Sequence, residues 1–191
     1  MNNSFLIAEI EKWNVIFQST SNIDKSIYEL AFFKIFIKFE KFLSDTFENY
    51  AIGNSSIHGY CPNRRLNFED IDHLNKVIKK ENRSFVNHYD LIKNISDCFF
   101  LDNPFEIIKT DPKYTTIINQ MKSIRDYIAH ESDSARNKYV TNVLNDRPFI
   151  EPSVHLMTIK KNYNKSYYTY YTKSIIEISS FIINAPILEN E

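Results

Sequence analysis

Residues 23–52, IDKSIYELAFFKIFIKFEKFLSDTFENYAI, decide how the rest of the chain is read. Ile27, Leu30, Phe33, Ile37, Leu43 and Phe47 fall on one helical stripe built from steps of three and four residues. The stretch contains neither Gly nor Pro, so its pattern predicts one long helix, and its apolar load predicts the central helix of a bundle. Lys34 and Lys38 interrupt Leu30–Phe39, which excludes a membrane span there.

Outward from this helix, residues 4–18 read as a first amphipathic helix carrying Phe5, Ile10, Trp13, Ile16 and Phe17, with a break at Thr20-Ser21-Asn22. Gly53–Leu66 holds both glycines and Pro62 and is the clearest loop. Asn67 is expected to cap a helix running to Lys80, with Asp70 at its third position. Another helix is expected from about Ser84 to Phe99. Pro104 and Pro112 bracket a short connection around Phe105–Ile108. Asp111-Pro112 then predicts an N-cap and first helical position, opening a helix through His130. Helix is expected again from Asp133 to about Leu144 beyond a bend near Ser132, a loop at Arg147–Pro152, and a final helix over Tyr168–Ile183. The expectation is an all-α helical bundle of about six helices, one domain over residues 1–191.

Composition agrees with that reading. Only 2 Gly and 6 Pro in 191 residues leave too few breakers for a β-sandwich. A chain of this length can bury roughly 70% of its unfolded surface without an external staple. The formal net charge of −1 gives no global attraction to nucleic acid or anionic lipid, so any such contact must come from a local patch. Cys61 and Cys98 form no CxxC, which argues against a disulfide framework and a zinc site and fits a reducing cytosol. Glu9, Glu11 and Lys12 arrive before any long apolar run, so neither a signal peptide nor a membrane association is expected, and the predicted location is cytoplasmic.

The segment Ile124-Arg125-Asp126-Tyr127-Ile128-Ala129-His130 carries the strongest chemical pattern. On a helical wheel, Ile117, Met121, Ile124 and Ile128 form a core stripe. Arg125 lies at its margin, with Lys122 and Ala129 beside it and Asp126 and His130 one turn apart. RNA cleavage by internal attack can use such groups. An imidazole titrates near neutrality and can take the 2′-hydroxyl proton, while guanidinium stabilises charge on the phosphate. Asp126 could orient the His130 ring, and no cofactor or metal is needed.

This Arg-x4-His pattern, with Asp directly after the Arg, resembles the HEPN superfamily, most closely its RiboL-PSP-HEPN branch. Phe36-Ile37-Lys38-Phe39-Glu40-Lys41-Phe42-Leu43 is similar to that branch's acidic early helix, and the resemblance covers residues 20 to 145. It implies a bundle that homodimerises so that two Arg-His helices share a cleft. It also implies metal-independent endoribonuclease activity in toxin, abortive-infection or phage-defence roles, with an antitoxin or regulatory protein as a further partner. Carried over by position, Arg125 would bind the scissile phosphate, His130 would move protons and Asp126 would support them. Lys122, Glu40 and Ser132 are the remaining candidates for substrate contact. Ser132 stands where the toxin branch silenced by tyrosine modification has Tyr, so that silencing is not expected.

Blander readings stand beside these. Arg83 to His88 repeats the spacing, but His88 aligns with Ile92, Ile95 and Phe99 and reads as a packed core histidine. Glu40 lies on the apolar stripe, so it either reaches a cation, with Arg125 one candidate, or sits at the stripe's edge in water. Lys76–Arg83 and Lys160–Lys165 could grip phosphates, and Tyr163, Tyr167, Tyr168, Tyr170 and Tyr171 could stack on bases. Solvated faces and packing are the favoured readings for these. His58 and Cys61 have ligand-like spacing without a second pair. A catalytically inactive module of the same family, binding nucleotide, RNA or a partner protein, is the alternative function. A purely structural helical domain is the third.

Overall fold

The computed structural model describes residues 1–20, 22–78 and 89–184. Helix α1 spans Ser4–Ser19, α2 Ser26–Ala51, α3 Ile71–Ile78, α4 Tyr89–Phe99 and α5 Ile107–Thr110. Helices α6 (Pro112–His130), α7 (Asp133–Asn142), α8 (Pro152–Met157) and α9 (Tyr167–Ile183) follow. Between α8 and α9, β1 (Ile159–Lys160) and β2 (Lys165–Ser166) pair as an antiparallel hairpin, Ile159 opposite Ser166 and Lys160 opposite Lys165. Among the described residues the fold is therefore all-α apart from this hairpin and an isolated antiparallel bridge between Arg64 and Phe100. Nine helices are present among the described residues against about six expected; two of them, α5 and α8, are short pieces of 4 and 6 residues where connections were expected. The Arg83–His88 pair and the helix start expected near Ser84 lie outside the described residues.

Helix α2 runs as one element through the stretch that predicted it, and α6 begins at Pro112, where a missing N–H costs nothing. The start of α3 differs from expectation. Asp70, not Asn67, is its cap: the carboxylate accepts from the His73 N–H at 2.7 Å, and Leu74 N–H donates to the Asp70 carbonyl.

Two compact units make up the chain. One comprises Met1–Phe5, Phe39–Asp111 and Glu177–Glu191, the other Leu6–Lys38 and Pro112–Ile176. In the first, Phe47 gathers Phe99, Phe100 and Phe105 with ring centroids 5.1, 5.6 and 5.8 Å away. The buried Tyr50 hydroxyl donates to the Ile182 carbonyl at 2.9 Å. Burial pushes its pKa up to about 12. Gly53 turns with φ +92°, and a Cβ there would lie 2.8 Å from the Arg64 guanidinium, which donates to the Ala51 carbonyl.

In the second unit, Ile117, Ile118, Met121 and Ile124 bury the inner face of α6. Each such side chain contributes about 1.5–3 kcal/mol by leaving water. Phe17 stacks on Tyr28 at 4.1 Å and meets Tyr168 edge-on at 5.1 Å. The buried Glu9 accepts from Lys38 Nζ at 2.6 Å and from Trp13 Nε1 at 2.7 Å. The Lys38 hydrogen bond is the largest influence holding the Glu9 carboxyl below its ordinary 4.5.

A depressed carboxyl pKa stabilises the fold above 4.5, and that contribution is lost as pH falls through the lowered value. Lys38 is 41% exposed, which weakens the pair. Lys38→Met is expected to cost about 1–2 kcal/mol at neutral pH, a drop of roughly 2–8 °C in Tm. The gap from the parent should close in acid, as read by thermal melts across pH; a gap that persists once Glu9 is protonated would contradict this.

Candidate functional site

Helix α6 carries the Arg-His segment at its C-terminal end, and the turn into α7 holds that end in place. Tyr127 stacks on Tyr139 of α7 at 5.5 Å with the rings 6° from parallel, and Phe149 meets both edge-on. Asn142 Nδ2 donates to the Ser123 hydroxyl, so α7 runs back along α6. At the corner Glu131 adopts φ +46° and its N–H donates to the Tyr127 carbonyl at 2.9 Å. A left-handed residue just past the last turn is the usual helix stop, here made by a non-glycine. Ser132 then caps α7, its hydroxyl accepting from the Ala135 N–H at 3.2 Å.

The predicted residues occupy distinct environments on this scaffold. Arg125 is half-buried, 18% exposed at its side chain, with its guanidinium 6.0 Å from the centre of the Phe36 ring. Nη1 donates to Asp126 Oδ1 at 2.7 Å, a charge-assisted bond between adjacent residues. His130 is the final residue of α6 and exposed, and among the described residues no hydrogen bond engages its ring. Asp126 thus serves Arg125 here, where the wheel had offered it to His130. Lys122 is half-buried one turn before Arg125. Ser132 is exposed, with its hydroxyl engaged in the cap. Glu40 is half-buried on α2 within the unit that holds Phe39–Asp111, whereas Arg125 belongs to the other unit.

Five residues separate Arg125 from His130, about 7.5 Å along the axis and about 140° around it. The two side chains of one copy therefore diverge. Next to them, Ile128 and Ala129 join Ser26, Glu29, Leu30 and Phe33 of α2 in a groove of about 280 Å³. Leu30 is 47% exposed there, an apolar side chain facing water. Glu29 also reaches the start of α8, where Oε1 accepts from the Ser153 N–H at 2.8 Å.

Sequence reasoning passed over His155. It is buried on α8, its ring centroid 4.2 Å from that of Tyr167, with Nε2 3.3 Å from the Tyr171 hydroxyl, which reaches Gln120 of α6. Burial, then the Lys160 charge, lowers its pKa to about 4. An imidazole three residues after Pro152 gave no periodic signal; the cluster of Tyr167 and Tyr171 after it was the available hint. Tyr168 and Tyr171 are buried, so they pack, while Tyr163, Tyr167 and Tyr170 are half-buried.

No family model, curated protein or solved structure matches the chain. Among the described residues no helix is long and apolar enough to cross a membrane, and no three His, Cys, Asp or Glu side chains group as a metal site would require.

Two outcomes follow from this geometry. Ser132→Ala, which removes the cap, should cost about 1 kcal/mol, or roughly 2–4 °C in Tm; an unchanged melt would mean that the hydroxyl carries no weight in the corner. For His155, whose folded pKa is depressed from 6.5 to about 4, stability is full above 6.5 and falls as pH drops toward 4. The Tm of His155→Leu should therefore vary less with pH over that window than the parent's, and equal slopes would refute a buried neutral imidazole.

Proposed function

We propose that this chain is a HEPN-type endoribonuclease that works without a metal, as a homodimer in the cytosol, in a toxin, abortive-infection or phage-defence role. One observation carries the reading: a charge-matched, half-buried guanidinium and an exposed imidazole sit five residues apart at the end of one helix. In this reading the 2′-hydroxyl oxygen attacks the adjacent phosphorus, the bond to the 5′ oxygen breaks, and a 2′,3′-cyclic phosphate and a 5′-hydroxyl result. A neutral His130 takes the 2′ proton, and a charged imidazole returns one to the leaving oxygen. Arg125 stabilises charge on the phosphate, and Asp126 holds the guanidinium in place. The divergence of the two side chains on one helix supports a dimer, because a second copy can supply the other imidazole. The groove flanking Ala129, with Leu30 open to water, leaves room for RNA or for that copy.

The Arg125–Asp126 bond also favours a second reading. A guanidinium already matched to a carboxylate suits a catalytically silent module that binds nucleotide, RNA or a partner protein at the same helix end.

Incubating the pure chain with RNA in excess chelator separates the two. Cleavage should fall by roughly 10²–10⁴-fold in both His130→Ala and Arg125→Ala, and cyclic-phosphate ends should appear only with the parent. Undiminished cleavage in either variant would exclude the site, and a strict monomer at micromolar concentration by sedimentation would exclude the shared cleft.

A further inference from the structure

Residues 152–176 contain Lys160, Lys161, Lys165 and Lys173 and no Asp or Glu, in a chain whose net charge is −1. The fold gathers part of this segment into a cleft. The end of α7 and the turn after it supply one wall through Val143, Leu144, Pro148 and Ile150, and the β1–β2 hairpin supplies the other through Ile159. The volume is about 620 Å³, within the range of small-molecule sites. Arg147, Lys160 and Lys161 line it, and no lining residue is acidic. The neighbouring Asp146 carboxylate is occupied, accepting from the Thr141 hydroxyl at 2.9 Å.

The two kinds of lining are held by packing. Asn145 and Asp146 both adopt left-handed backbone, φ +52° and +58°, which turns the chain into Arg147. Lys160 rests 4.6 Å from the Tyr170 ring centre and 5.3 Å from that of Tyr167, so its charge is fixed over aromatic faces. Ile150 and Ile159 are 37% and 58% exposed, an aliphatic surface open to water beside three cations. His155 and Tyr167 also line the cleft.

We propose that this cleft is a second binding site, one for a nucleotide, taken either as a free mononucleotide or as part of a single-stranded RNA. Arg147, Lys160 and Lys161 neutralise the phosphate, and the aliphatic wall of Ile150 and Ile159 accepts the base. A carboxylate ligand would use the cations and leave the wall wet; an apolar ligand would do the reverse. A nucleotide satisfies both. No lining residue of the cleft belongs to the Arg-His segment, although the two are neighbours: Asn142, just before Val143, touches Ser123 two residues ahead of Arg125, and Phe149, just before Ile150, meets Tyr127. The proposal does not depend on the ribonuclease reading, and its readout is binding.

The test titrates the full chain with adenosine 5′-monophosphate, with inorganic phosphate, and with a short single-stranded 2′-O-methyl RNA that internal attack cannot cleave. Arg147 and Lys161 are exposed, so the double variant Arg147→Ala/Lys161→Ala should keep its fold, checked by circular dichroism. Binding should weaken at least about tenfold, which is the loss of roughly 1.4 kcal/mol. The exposed Lys138→Ala control on α7 should bind as the parent does. For RNA, the slope of log affinity against log salt should flatten by about 1.4 for two lost phosphate contacts. Binding of the mononucleotide alone assigns the cleft to a free nucleotide, and binding of the oligomer alone assigns it to a strand. Overturning results are no binding of either, equal binding by the double variant, or phosphate binding as tightly as the mononucleotide.

Discussion

The second unit depends on one packing interaction, the return of α7 along α6 with Tyr127 stacked on Tyr139. That return requires a chain reversal directly after His130, made by left-handed Glu131 without a glycine. The conformation costs a non-glycine residue roughly 1–2 kcal/mol. Two local terms offset it: the Ser132 cap, worth about 1 kcal/mol, and the aromatic stack, worth about 0.5–1.5 kcal/mol beyond its burial. The balance is near zero locally, so the corner exists because the buried faces of α6 and α7 favour it. His130 is exposed for the same reason, standing where the helix must stop.

Charge is handled in two ways on this unit. Two charges that leave water are matched: Glu9 with Lys38, Arg125 with Asp126. An unmatched charge in either place would carry a desolvation cost that folding could not easily absorb. Residues 158–176 are different, carrying only cations, with Lys160 steadied by tyrosine rings instead of by a carboxylate. Arg147 and Lys161 stay in water, where like charges close together cost little. A site that must attract an anion benefits from that arrangement, because a carboxylate of its own would compete for the cations.

The two candidate sites therefore share the α6–α7 pair without sharing a lining residue. One is a helix terminus bearing groups suited to proton transfer, the other a cleft bearing groups suited to holding a phosphate. Both are positioned by the same antiparallel contact, so a change at Tyr139 or Asn142 would disturb each.

Much of the local structure was legible in the order of residues alone. The unbroken apolar load of residues 23–52 specified α2 as a helix but not its buried face: of the Ile27-to-Phe47 stripe only Leu43 and Phe47 are buried, Leu30 and Ile37 face water, and Phe32, Ile35, Phe36 and Phe39 fill the core instead. Asp111-Pro112 placed the start of α6, and the Arg125–His130 spacing placed both groups on one helix, because these depend on periodicities and φ restraints intrinsic to the chain. The start of α3 was less legible, since Asn67 and Asp70 are both good caps and only packing chooses between them. The β1–β2 hairpin, two residues per strand, is too short to show a period of two. The partner of Asp126 also lay beyond pattern reading. Wheel geometry offers the carboxylate to His130 one turn on, but the long guanidinium arm of its neighbour reaches it first. The burial of His155 and the gathering of Arg147, Lys160 and Lys161 around one cleft were decided by tertiary structure, because desolvation and charge proximity depend on which distant segments arrive beside a residue.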